Sequence, residues 1–175
     1  MDLKLQGKVA IVTGASYGIG EAIAKGLAQE GPKLAICARG EEKLMRISAE
    51  LKGMGAEVLP IQADVMKTED VDRVVRETLG SFGRIDILVN NAGGMVRGTF
   101  EQAKDEDWQK GIELNVYSII HFCQKVIPGM RERNWGRIIN IASVWGHQPG
   151  VTPVYNVAKA AVLSLSKSLS NELGS

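Results

Sequence analysis

Residues 8–20 read KVAIVTGASYGIG. The run 8–13 (KVAIVT) is apolar through its middle and predicts a buried strand. The glycines at 14, 18 and 20 predict a tight turn, and a helix-period segment follows over 18–30, closed by Gly31 and Pro32. Glycine just past a helix and proline beyond it are stop signals. Working outward, the same alternation recurs. Residues 33–38 (KLAICA), 57–62 (EVLPIQ), 85–89 (IDILV) and 137–141 (RIINI) read as strands. Helical segments at 41–52, 68–82 and 108–131 separate them, with Pro128 in the last turn of the third, and a long helix at 153–173 comes last. Pro60 puts the third strand at an edge, where a missing N–H is tolerated. Apolar strands separated by helices predict a parallel sheet covered on both faces. Right-handed crossovers then give an α/β, doubly wound fold. The expectation is one domain over 1–175, with five strands in order 3-2-1-4-5 and helices on both faces.

Composition excludes several function classes. At 175 residues, 45% hydrophobic and 23% charged, the chain is an ordinary globular protein with room for a core. A net charge of +1 gives no electrostatic case for nucleic acid or a membrane surface. Cys37 and Cys123 each sit alone in an apolar run and read as buried free thiols in a reducing compartment, not as a disulfide or a metal site. No signal peptide is read at the start and no run reaches a membrane span, so the expected location is cytoplasmic. Residues 93–107 are poorly patterned and follow the fourth strand, where a loop can wall a site.

The strand ends carry candidate chemistry. A glycine turn opening a helix lets backbone approach a ligand closely and presents unpaired N–H groups to a pyrophosphate. The spacing here is G-x-x-x-G-x-G, so a purely steric turn is the alternative. The second strand ends in Cys37-Ala38-Arg39-Gly40. An acid there would hold a ribose 2′-hydroxyl; Arg39 can meet a 2′-phosphate instead, which favours NADP and leaves NAD open. The alternative for Arg39 is a solvated side chain before a helix. Asp64 could accept from an adenine amino group or serve as a turn residue. Asn90-Asn91-Ala92-Gly93 supplies amides and a glycine where a cofactor would lie, or simply ends a strand.

Tyr155 and Lys159 are four apart, hence one turn apart on one face of the last helix. A phenol beside an ammonium ionises more easily and can carry protons. Ser143, twelve residues before Tyr155, offers a hydroxyl for a carbonyl oxygen. Alone, such a pair is commonly surface decoration. Asn115 interrupts a helix with a residue of poor propensity. Trp108 and Trp135 read as packing residues, and His121 as a helix-face residue.

Taken in order, these residues resemble the short-chain dehydrogenase/reductase family in its single-domain, Rossmann-like form. The match runs from about residue 8 to the end and comprises Thr13-Gly14-x-x-x-Gly18-Ile19-Gly20, Asp64, Asn90-Asn91-Ala92-Gly93, Asn115, Ser143 and Tyr155-x-x-x-Lys159. The resemblance implies a hydride-transferring oxidoreductase acting on a ketone or secondary alcohol, similar to 3-oxoacyl-[acyl-carrier-protein] reductases and sugar- or polyol-oxidising relatives. It implies Tyr155 as general acid or base. Lys159 would hold the nicotinamide ribose and ease Tyr155 ionisation, Ser143 would bond the substrate oxygen, and Asn115 would hold a water linking Lys159 to solvent. Gly14, Ser16, Tyr17, Gly18, Ile19, Gly20, Arg39, Asn91, Ala92 and Gly93 would contact NADP (or NAD), with Asp64 and Val65 at the adenine. Trp145 and Gln148 lie where substrate loops would line a pocket, beside Gly94 and Met95; Trp145 is equally a half-buried structural aromatic. Tyr17 stands where the NADP-preferring branch often has a basic residue.

The family usually continues beyond the helix of Tyr155 with two more strands and a substrate-covering segment. The expectation here is that both are lacking and that the fifth strand lies at an exposed edge. A dinucleotide-binding protein without turnover is therefore the alternative function. A dinucleotide-binding epimerase or dehydratase shares Tyr-x-x-x-Lys, but Asn-Asn-Ala-Gly and the short glycine spacing argue against it. Relatives pair through their two long helices, so a homodimer or homotetramer is expected.

Overall fold

The computed structural model describes residues 3–150 and 152–174. Five strands, β1 (Val9–Thr13), β2 (Lys33–Ala38), β3 (Val58–Gln62), β4 (Ile87–Asn90) and β5 (Arg137–Asn140), form one parallel sheet in the order β3-β2-β1-β4-β5. The helices are α1 (Gly18–Glu30), α2 (Glu41–Gly53), α3 (Thr68–Phe82), α4 (Asp105–Ile112), α5 (Ser118–Glu132) and α6 (Pro153–Leu173). The expected order and edge position of the Pro60 strand are both present.

Strand residues alternate between two cores, as the pleat requires. Ile11, Ala35, Cys37, Ile61 and Leu88 face α3, α5 and α6, meeting Val71, Val74, Phe122, Val126 and Val162. Ala10, Val12, Leu34, Ile36 and Val89 face α1 and α2, meeting Ala24, Ala28, Leu44, Ile47 and Leu51. The small alanines let α1 lie close to the strands. On that second face Ile139 of β5 remains 46% exposed.

Three local features depart from the sequence reading. The segment expected as one helix over 108–131 is α4 and α5 joined by a π-helical turn, Glu113–Tyr117, centred on Asn115. The Asn115 amide donates to the Gly111 carbonyl at 2.9 Å and competes with the regular helical ladder. β4 starts at Ile87, not residue 85, because the Asp86 carboxylate takes the Val9 N–H at 3.0 Å in place of a ladder carbonyl. A short 3₁₀ turn, Val144–Gly146, follows β5 and was not expected.

Candidate active site

The first loop is locked by side-chain bonds across strand ends. Thr13, buried in β1, accepts the N–H groups of Asn91 (3.0 Å) and Ala92 (2.9 Å) on its hydroxyl. Asn91 returns its side-chain amide to the Thr13 and Gly14 carbonyls at 2.9 and 3.2 Å. Two glycines are needed here for space. A Cβ on Gly14, whose φ is +65°, would lie 2.9 Å from Ala92 Cα, and one on Gly20 would collide with the Gly14 carbonyl and the Asn91 amide. Asn91 is thus the brace of the glycine turn, and backbone is what the 91–93 segment offers to the cleft. Thr13 entered the sequence reading only as the first residue of the glycine motif, with no role of its own.

A cleft of about 780 Å³ opens over this turn at the carboxyl ends of the strands. Gly14, Ser16, Tyr17, Gly18, Ile19, Gly20, Arg39, Val65, Asn91, Ala92 and Gly93 all line it. No side chain caps the start of α1, so its first N–H groups face this space. Arg39 is exposed, and its carbonyl accepts from Gln62 Nε2 at 3.0 Å, which ties down the loop after β2. Asp64 does not line the cleft: its Oδ1 accepts the Met66 N–H at 3.1 Å, the turn-residue alternative. Lys43 and Leu114 also line the cleft and were missed, because tertiary placement alone brings them there.

Tyr155 and Lys159 stand on α6, outside the residues that line the cleft. Thr152 caps α6 by accepting the Tyr155 N–H at 3.3 Å, and Pro153 suits the first helical position. Lys159, one turn on, is 4% exposed; its Nζ donates to the Ile141 carbonyl at 2.8 Å and lies 5.6 Å from the Tyr155 ring centroid. Burial pushes the Lys159 ammonium below its usual pKa. A Cβ on Gly93 would stand 2.8 Å from Asn115 Oδ1 and 3.5 Å from Lys159 Nζ, so the strand-ending turn, the π turn and α6 converge at one point. Asn115, 1% exposed, bonds both ways to Gly94, giving 2.8 Å to its carbonyl and taking 3.2 Å from its N–H.

Ser143 opens the 3₁₀ turn and accepts the Trp145 N–H on Oγ at 3.2 Å, which leaves its hydroxyl proton to donate elsewhere. That turn packs on α6: a Cβ on Gly146 would sit 2.8 Å from the Lys159 carbonyl. Trp145 is half-buried with its ring against Gly150, while Gln148 and His147 are exposed. A larger hollow, about 930 Å³, runs along β5 between the ends of α5 and α6. It contains none of the glycine-turn residues, so the smaller cleft, which they line, is the candidate active site.

Residues 8–175 match the model of the short chain dehydrogenase family. The chain belongs to the short-chain dehydrogenase family. Within the family it is 39% identical over 171 residues to an uncharacterised oxidoreductase of Staphylococcus epidermidis, spanning 97% of this chain and 73% of that protein. An uncharacterised oxidoreductase of Staphylococcus aureus is 36% identical over 170 residues, with the same coverage. Among solved structures, L-sorbose reductase from Gluconobacter frateurii, in complex with NADPH and L-sorbose, superposes with a TM-score of 0.95 at 43% identity. That match covers 99% of this chain and 66% of the reductase chain. A short-chain dehydrogenase/reductase variant from Serratia marcescens gives 0.91 at 35% identity, covering 97% of this chain and 70% of the other.

Proposed function

We propose that this single-domain, dinucleotide-binding protein transfers hydride between NADP(H) and a ketone or secondary alcohol. The observation that carries the reading is the meeting of buried Lys159 and Asn115 at Gly93, a residue of the glycine-turn cleft, with the Tyr155 ring centroid 5.6 Å from Lys159 Nζ. NADP fits the cleft: the glycine cradle leaves no room for a Cβ at Gly14 or Gly20, the start of α1 is uncapped, and Arg39 carries the charge a 2′-phosphate needs. The family resemblance, and NADPH in the sorbose reductase complex, point the same way.

When bound, NADPH supplies the hydride. Tyr155 gives its phenolic proton to the substrate oxygen as negative charge builds there, and takes it back in the oxidative direction. Ser143 donates its remaining hydroxyl proton to the same oxygen. Lys159 binds ribose hydroxyls, and its charge stabilises the phenolate that Tyr155 becomes. Asn115 fixes the Gly93–Gly94 backbone and the π turn beside Lys159. Trp145 and Gln148 border the substrate side, and Val65 the adenine side. We place the activity close to 3-oxoacyl reduction or to ketose reduction. We further propose a cytoplasmic homodimer or homotetramer. The thiols of Cys37 and Cys123, pushed up by burial to about 12 and about 11, suit a reducing compartment. Among the described residues no helix is long and apolar enough to cross a membrane.

The test is NADPH oxidation against a panel of simple ketones, ketoses and a 3-oxoacyl thioester, with NADPH binding measured alongside. Oxidation of one class supports the reading; binding without oxidation of any supports a non-catalytic dinucleotide-binding protein. Arg39→Ala should weaken NADPH more than NADH in the same titrations, and equal losses would remove the assignment of Arg39 to the 2′-phosphate.

A further inference from the structure

We propose that Lys43 is a second cation for the cofactor's 2′-phosphate, carried by α2 and held at the cleft by the face of Tyr17. The proposal rests on the NADP(H) reading above and deepens it. The glycine turn itself brings no charge to the cleft: its side chains are Ala15, Ser16, Tyr17 and Ile19. Tyr17 is 68% exposed, a large aromatic surface left in water at the start of α1. Lys43, in the first turn of α2, reaches across from the neighbouring element and sets its Nζ 5.8 Å from the Tyr17 ring centroid, within cation–π range.

That position is electrostatically odd for a lysine. A helix N-terminus disfavours positive charge, and Glu41 and Glu42 are what its dipole favours there. The neighbouring cations have partners: Lys25 and Arg46 are each paired with both Glu21 and Glu50. Lys43 has no carboxylate partner among the described residues, and neither does Arg39, and both line the cleft. Glu41 and Glu42 line it too. Two cations therefore balance two acids at this lip, and loss of either cation leaves acids in excess where a phosphate dianion would sit. Arg39 supplies a planar fork from the loop after β2; Lys43 supplies a point charge from the first turn of α2, steered by the Tyr17 ring.

The experiment titrates the full chain with adenosine 2′,5′-bisphosphate and adenosine 5′-phosphate, probes that differ only in the 2′-phosphate. The wild type should prefer the bisphosphate. Lys43→Gln should cut that preference about fivefold, the equivalent of one partly exposed charge pair, and leave 5′-phosphate affinity unchanged. Lys43→Arg should keep the preference, Tyr17→Phe should keep it, and Tyr17→Leu should lose part of it. If Arg39→Ala abolishes the preference while Lys43→Gln retains it in full, the Lys43 assignment is overturned and the NADP(H) reading stands. If the wild type shows no preference, both fall together. All substituted side chains are exposed, so folding does not confound the comparison.

Discussion

Lys159 is held where its charge is least favoured. Burial opposes the ammonium, and the hydrogen bond to Ile141 offsets only part of that cost. The penalty is present while the folded protein keeps Lys159 protonated. It fades as pH rises through the lowered folded pKa toward the usual 10.5 of the unfolded chain, where the unfolded state binds more protons. Wild-type stability should therefore improve relative to Lys159→Met as pH climbs from neutral into that window. Urea midpoints of the two proteins across the range check this, and parallel curves would contradict it. Lys159 was readable in the sequence because its partner Tyr155 fixed the helix face. Asp64 and Lys43 were harder: one spends a carboxylate oxygen on its own turn, and the other reaches the cleft only through the approach of α2 to α1. The turn role of Asp64 stood in the sequence as one of two alternatives, whereas the placement of Lys43 has no local sequence signal.

At the scale of elements, glycine spacing and the Asn115 π turn do the positioning. Gly20 packs directly on the Gly14 carbonyl and the Asn91 amide, so Gly20→Ala should destabilise the fold by about 1–3 kcal/mol through overpacking. Chemical denaturation measures it, and an unchanged midpoint would mean the loop yields freely. Asn115→Leu strands the Gly94 N–H and carbonyl and should cost about 1–3 kcal/mol, with weaker NADPH binding because the 93–94 backbone loosens. Denaturation with cofactor titration checks both; intact affinity would remove Asn115 from the site. β2, α1, α3 and α6 have the bounds the sequence predicts, since capping and stop residues mark them. The π turn and the late start of β4 do not, because side chains of Asn115 and Asp86 substitute for backbone partners, and periodicity does not register that.

For the whole molecule, the strand order was legible because each strand is apolar throughout and each crossover is a helix. The edge position expected for β5 is present too, among the described residues. On that strand Ile139 is exposed, on the face opposite the hollow between α5 and α6. Open apolar edges template association, so Ile139→Lys should lower concentration-dependent association in sedimentation. If association is unaltered, the proposed pairing through the long helices accounts for it instead, and a monomer at micromolar concentration would contradict an oligomer altogether. In the proposed reaction the Tyr155 phenol gives the proton that accompanies hydride transfer. The direct measurement is NADPH oxidation by Tyr155→Phe beside the wild type, with cofactor affinity determined for both. Affinity should be retained while turnover falls by about 10²-fold or more; a Phe variant that oxidises NADPH at the wild-type rate would contradict the claim.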